Sequence, residues 1–218
     1  KQNGAITIAS TKERLQELRK RTKNFINTKN RNTIILIDDY KRLYDVVSIN
    51  NNSFEIDQKN IAIYGLGFVG LTLAATLANN GLNIIAVDSD FDIIHNLNNN
   101  KVHFFEKGLK EMLVNVSNIN PITFLNDVSN CDIDVHIVCV GTPTDKNGKP
   151  DLKDILNVSD TIADNIKKND LVVFRSTVPV GTMRNIIKPQ LEKNGLQCGA
   201  DFSLSFAPER TVEGDALK

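Results

Sequence analysis

A chain of 218 residues with 41% hydrophobic and 24% charged side chains has the make-up of an ordinary globular protein. It is long enough for one large domain, or for one of about 150 residues with a small appendage. No apolar run approaches the roughly 20 residues of a membrane span, and the first residues lack the basic-then-apolar layout of a signal peptide. A cytoplasmic protein with no membrane partner is therefore expected. The net charge of zero is unevenly spread, with 12 basic and 7 acidic side chains in residues 1–60 against 14 and 19 in the remainder. That imbalance predicts two units, an appendage over residues 1–58 and a main domain over residues 59–218. Cys131, Cys139 and Cys198 have neither CxxC nor metal-ligand spacing, and Cys139 lies in an apolar run as a buried, inert thiol would. His95, His103 and His136 are scattered and read as structural or surface groups, so no metal is expected.

In chain order, Ser10-Thr11-Lys12-Glu13 is a capping box that predicts a helix start. Leu15, Leu18, Phe25 and Ile26 then recur at near-helical spacing. Eight basic residues lie between positions 12 and 31, but without an aromatic stacking platform they read as a solvated face, and no nucleic-acid partner is expected. Residues 33–37 read as a strand, Asp38-Asp39 as a turn, residues 43–49 as a second strand and residues 50–53 as a linker. This small α+β unit weakly resembles half of a cystathionine-β-synthase-type regulatory module, on hydrophobic pattern alone.

From residue 61 onward the pattern changes to buried strands alternating with helices. Strands are predicted over 61–64, 84–87, 135–140, 171–174 and 202–206. Helices are predicted over 68–77, 152–166 and 183–191, the first stopped by Gly81. Near-continuous apolar strands separated by helices predict an α/β fold, a Rossmann-type doubly wound parallel sheet. Gly65-Leu66-Gly67-Phe68-Val69-Gly70 directly follows the first of these strands and opens the first helix. In a G-x-G-x-x-G at that place the first glycine makes the turn, the second lets a pyrophosphate approach, and the third lets helix and strand pack closely. Phe68 and Val69 contribute N–H groups at the positive helix end, which favours phosphate. Asp88 closes the next strand 18 residues after Gly70, where a carboxylate accepts from adenosine ribose hydroxyls and repels a 2′-phosphate. The predicted cofactor is NAD rather than NADP.

Four further stretches carry a resemblance. They are Val140-Gly141-Thr142-Pro143-Thr144 with Gly148-Lys149-Pro150-Asp151-Leu152, then Arg175-Ser176-Thr177-Val178-Pro179-Val180-Gly181-Thr182, then Ala207-Pro208-Glu209-Arg210 with Glu213-Gly214, and an imperfect Glu106-Lys107-Gly108-Leu109. Together they resemble the UDP-glucose/GDP-mannose dehydrogenase family from Ile61 to Lys218. The Pro-Glu-Arg-Thr-Val-Glu-Gly wording leans toward its UDP-N-acetylhexosamine subgroup. The resemblance implies that Thr142 lines the dinucleotide and that Thr177 sits near the nicotinamide. It implies that Glu209 organises proton transfer through an ordered water, and that Glu213 lies at the cofactor edge. It further implies a nucleotide-sugar substrate, oxidised at a primary alcohol to a carboxylate by two successive hydride transfers, with a cysteine holding the intermediate aldehyde. A homo-oligomer is expected of the full-length protein.

Two departures stand out. Many family members carry a basic residue five positions after the ribose acid, and here that position is Ile93. None of the three cysteines lies in the family's Gly-rich cysteine motif, so that motif, the catalytic lysine and the sugar-nucleotide domain are expected beyond Lys218. This chain alone is expected to be inactive. Another NAD-dependent hydroxyacid-type dehydrogenase, or a non-catalytic NAD-sensing module, stays open as an alternative.

Overall fold

The computed structural model describes residues 33–37, 43–48, 59–146 and 148–209. The predicted helix from Ser10, the Asp38-Asp39 turn and the linker at 50–53 lie outside the described residues. Strands β1 (Thr33–Ile37) and β2 (Leu43–Ser48) pair antiparallel, with a register shift between Leu36 and Ile37.

The second unit is a six-stranded sheet built from β3 (Asn60–Tyr64), β4 (Asn83–Val87), β5 (Thr123–Leu125), β6 (Val135–Val138), β7 (Leu171–Phe174) and β8 (Ser203–Phe206). Its spatial order is β5-β4-β3-β6-β7-β8, and every pair is parallel. Chain direction across the sheet therefore reverses between β3 and β6, the switch point at which ligands enter sheets of this kind.

Two apolar layers explain the alternation within the strands. Ile61 and Ile63 of β3 face one core with Leu71, Leu73, Leu77, Ile94, Leu97, Leu109 and Val116. Ala62 and Tyr64 face the other, with Ile155, Ile162, Ile187 and Leu191. Helices α1 (Phe68–Asn79), α2 (Phe91–Asn98) and α3 (Leu109–Ile119) cover the first face. Helix α4 (Lys153–Asn165) and the short α5 (Lys188–Leu191) cover the second. Residues from Gly70 to Ala78 of α1 are all buried, which is why that helix is apolar all round rather than striped. It ends as expected at Gly81, whose φ of 88° and the bonds Gly81 N–H to Ala78 and Leu82 N–H to Leu77 make a Schellman stop.

The structure adds three elements that the pattern reading left as connection: α2, α3 and β5. Asp90 caps α2 by accepting from the Asp92 and Ile93 amides at 2.8 and 3.3 Å. Gly108, at φ 86°, makes the sharp entry to α3. The expected helix at 183–191 is also reshaped, into a π-turn (Met183–Ile187) followed by α5. Pro189 lacks the N–H that an α-helix would send to Asn185, so regular i→i−4 bonding fails there.

His136 has the structural role expected of it. It is fully buried, its Nδ1 is 2.9 Å from the Tyr64 hydroxyl, and its Nε2 faces the buried Asp170 carboxylate at 3.5 Å. Burial, reinforced by Cys131 and Asp170, pushes the Tyr64 hydroxyl well above its ordinary pKa, so it stays protonated. All three cysteines are free thiols, and Cys139 is partly rather than fully buried.

Candidate cofactor and catalytic site

The three loop glycines stand in three different environments. Gly65 has φ 87°, and a Cβ there would lie 2.9 Å from Val140, so the position needs glycine for both backbone and space. A Cβ on Gly70 would lie 1.8 Å from the Gly65 carbonyl oxygen, which lets α1 start directly against the turn. A Cβ on Gly67 would meet nothing within 4 Å. That glycine faces open space at the N-terminus of α1, so what it leaves room for is not part of the described protein.

The chemistry at this end of α1 suits an anion. Gly67 caps the helix with no side-chain bond, and the first turn holds no acidic residue. Its amides and dipole therefore face outward with no acidic side chain in the helix's own first turn to compete. A dinucleotide pyrophosphate fits both the space over Gly67 and this donor set. Phe68 opens the helix and packs on Phe104 at 5.7 Å between ring centroids, while Val69 follows it half-buried.

Asp88 sits beside the loop, at the end of β4. Its Oδ2 accepts from the Leu66 amide at 2.7 Å and its Oδ1 from the Asp90 amide at 3.0 Å. Each oxygen keeps a further lone pair for an incoming hydroxyl. Sequence reasoning saw the acid but missed that it also ties the glycine loop to the next strand.

Across the switch point, the loops after β6 and β7 are stitched together. Thr142 Oγ1 donates to the Thr177 carbonyl at 2.8 Å, and Ser176 Oγ donates to the Val140 carbonyl at 2.6 Å. Thr177 itself is exposed, three residues past the end of β7. Asp151 accepts from the Lys153 amide at 2.9 Å at the start of α4. Glu106 is buried, and its carbonyl accepts from the Leu109 amide at the entry to α3.

Past β8, the Ala207 amide donates to Phe174 at 2.8 Å and the Glu209 amide to Arg175 at 3.0 Å. Arg175 Nη2 also ion-pairs with Glu209 Oε2. The guanidinium is buried, which pushes its pKa below the ordinary value while the nearby Cys139 opposes the shift. Sequence reasoning placed Glu209 but missed Arg175 as its partner. The only available signal was that both residues flank the carboxyl ends of adjacent strands. Arg210, Glu213 and Gly214 lie outside the described residues. Gly65, Gly67, Gly70, Asp88, Thr142, Thr177 and Glu209 thus all fall at the carboxyl edge of one sheet.

Comparison with known proteins follows the same outline. The model of the UDP-glucose/GDP-mannose dehydrogenase family, NAD binding domain, matches residues 59–218. Protein CapL of Staphylococcus aureus is 37% identical over 160 residues, which cover 73% of this chain and 37% of that protein. UDP-N-acetyl-D-mannosamine dehydrogenase of Pyrococcus horikoshii is 30% identical, over 72% of this chain and 38% of its own. The crystal structure of a ternary complex of GDP-mannose dehydrogenase from Pseudomonas aeruginosa superimposes with a TM-score of 0.69 at 35% identity, over 72% of this chain and 37% of that one. The chain thus spans well under half the length of these relatives. Sheet order, glycine loop and matched residues agree: the chain belongs to the UDP-glucose/GDP-mannose dehydrogenase family and carries its NAD-binding domain in residues 59–218.

Proposed function

We propose that this chain is the cofactor-binding part of an NAD-dependent nucleotide-sugar 6-dehydrogenase, which oxidises a sugar's primary alcohol to a carboxylate. The observation that carries the reading is the meeting of two devices at one sheet edge. One is an anion-ready helix end over Gly67, and the other is the set of loops after β6, β7 and β8, tied to one another, that carry Thr177 and Glu209. A helix terminus alone would suit any phosphate. A threonine and a carboxylate farther along the same sheet edge suit proton handling at the other end of a bound dinucleotide.

NAD, when bound, supplies the hydride acceptor. The amides of Gly67, Phe68, Val69 and Gly70 would hold its pyrophosphate, Asp88 its adenosine ribose, and the Thr142 backbone its far half. Thr177 would orient an ordered water by its hydroxyl. Glu209 would take up and return the alcohol proton through that water, and Glu213 would complete the cofactor edge. We propose the division at residues 58/59, supported by the shift in charge and by the start of the family match. Relatives named for GDP-mannose and for UDP-N-acetylmannosamine match at 35% and 30% identity, so the base and sugar stay at the level of a nucleotide-linked hexose. A homo-oligomer of the full-length protein belongs to the same reading.

The test is stoichiometric. Full-length enzyme given NAD and a panel of UDP- and GDP-hexoses should release two NADH for each sugar consumed, with a uronic acid as product. Saturable NADH binding with no turnover on any of the panel would favour the sensing module instead.

A further inference from the structure

We propose that Arg175 is the positioning residue for Glu209, holding its carboxylate ionised at the sheet edge that Thr177 shares. The inference rests on the role given to Glu209 above. Three observations support it. First, the two residues are tied twice, through the Glu209 amide on the Arg175 carbonyl at 3.0 Å and through the ion pair between their side chains. A side chain whose backbone is already fixed loses little further freedom when it pairs, so the carboxylate is held more tightly than in a surface ion pair.

Second, the pair is withdrawn from water, with the Arg175 side chain 5% exposed and that of Glu209 14%. Attraction between the charges is stronger at such a site than at an open surface, and it favours the ionised carboxylate. Third, Arg175 is poorly provided for as a structural device. Its Nε is buried without a hydrogen-bond partner, and burial disfavours its charge. A buried ion pair of this kind is a weak source of stability compared with apolar packing. Arg175 reaches Glu209 through Nη2 alone, a single charged contact that a lysine could supply in part.

The experiment uses full-length enzyme and four variants: Glu209→Gln, Arg175→Met, Arg175→Lys and the double Arg175→Met/Glu209→Gln. Each is measured for kcat, KM for sugar, NADH affinity and Tm. Arg175→Met should lower kcat by about 10–10²-fold, part of the ~10²–10⁴-fold that a general acid–base group supplies, with KM and NADH affinity little changed. Arg175→Lys should recover part of that loss. The double variant should be no slower than Glu209→Gln alone, because Arg175 acts only through the missing carboxylate. If Arg175→Met does not fold, Arg175→Gln, which keeps donors and drops the charge, should show the same loss. Additive losses in the double variant, or near-normal kcat in a folded Arg175→Met or Arg175→Gln enzyme, would overturn the inference. So would a kcat that falls only with Tm. A near-normal Glu209→Gln enzyme would instead sink the role of Glu209 beneath it.

Discussion

The two sides of the switch point are made of different materials. After β3 the turn is main chain: Gly65 and Gly70 are there because a Cβ would strike Val140 or the Gly65 carbonyl, and Gly67 faces open space. After β6, β7 and β8 the edge is made by side chains, with Thr142 and Ser176 bonding across loops and Arg175 pairing with Glu209. A main-chain mould offers fixed donors to a ligand but no group that can change protonation state. The side-chain edge offers a carboxylate and hydroxyls, the groups that proton handling requires. Volume should therefore matter on the first side and charge on the second.

The strongest challenge to this division is Gly70→Ala. Its new Cβ would lie 1.8 Å from the backbone carbonyl oxygen of Gly65, a residue anchored through its N–H to Val87, so the backbone itself must shift. The expected cost is about 3 kcal/mol, or a drop of roughly 6–12 °C in Tm for a domain of this size. A variant melting with the wild type would show that the loop is not packed as described. A smaller effect is expected from Tyr64→Phe, on the face away from α1. Losing the hydroxyl leaves the buried Nδ1 of His136 without that partner, at about 1–2 kcal/mol in thermal unfolding. NADH affinity should not change, and a parallel loss of binding would mean that the polar core and the cofactor edge are coupled.

Much of the main-chain side was legible in the sequence, because its constraints are local. Gly65-Leu66-Gly67-Phe68-Val69-Gly70 sits between an apolar strand and an apolar helix, and Asp88 follows at the end of the next strand. The intervening helices were harder. Leu109, Met112, Leu113 and Val116 do repeat at helical spacing, but Asn and Lys between them hide α3 in a polar stretch. Strand β5 has three residues, too few to show any period. The turn at Met183 follows from Pro189, whose missing N–H acts four residues back. The Arg175–Glu209 pair was illegible for another reason. Its members are 34 residues apart and meet only because β7 and β8 are neighbours with a fixed register.

The most direct measurement is fluorescence titration of this chain with NADH and NADPH, alongside Gly67→Val. Valine at that position meets no protein atom near its Cβ, so the variant should fold and melt as the wild type does. Its side chain would fill the space that a pyrophosphate needs. The account predicts saturable NADH binding by the wild type, NADPH weaker by at least several-fold through Asp88, and loss of NADH binding in the folded variant. Undiminished NADH binding by a folded Gly67→Val chain would contradict it.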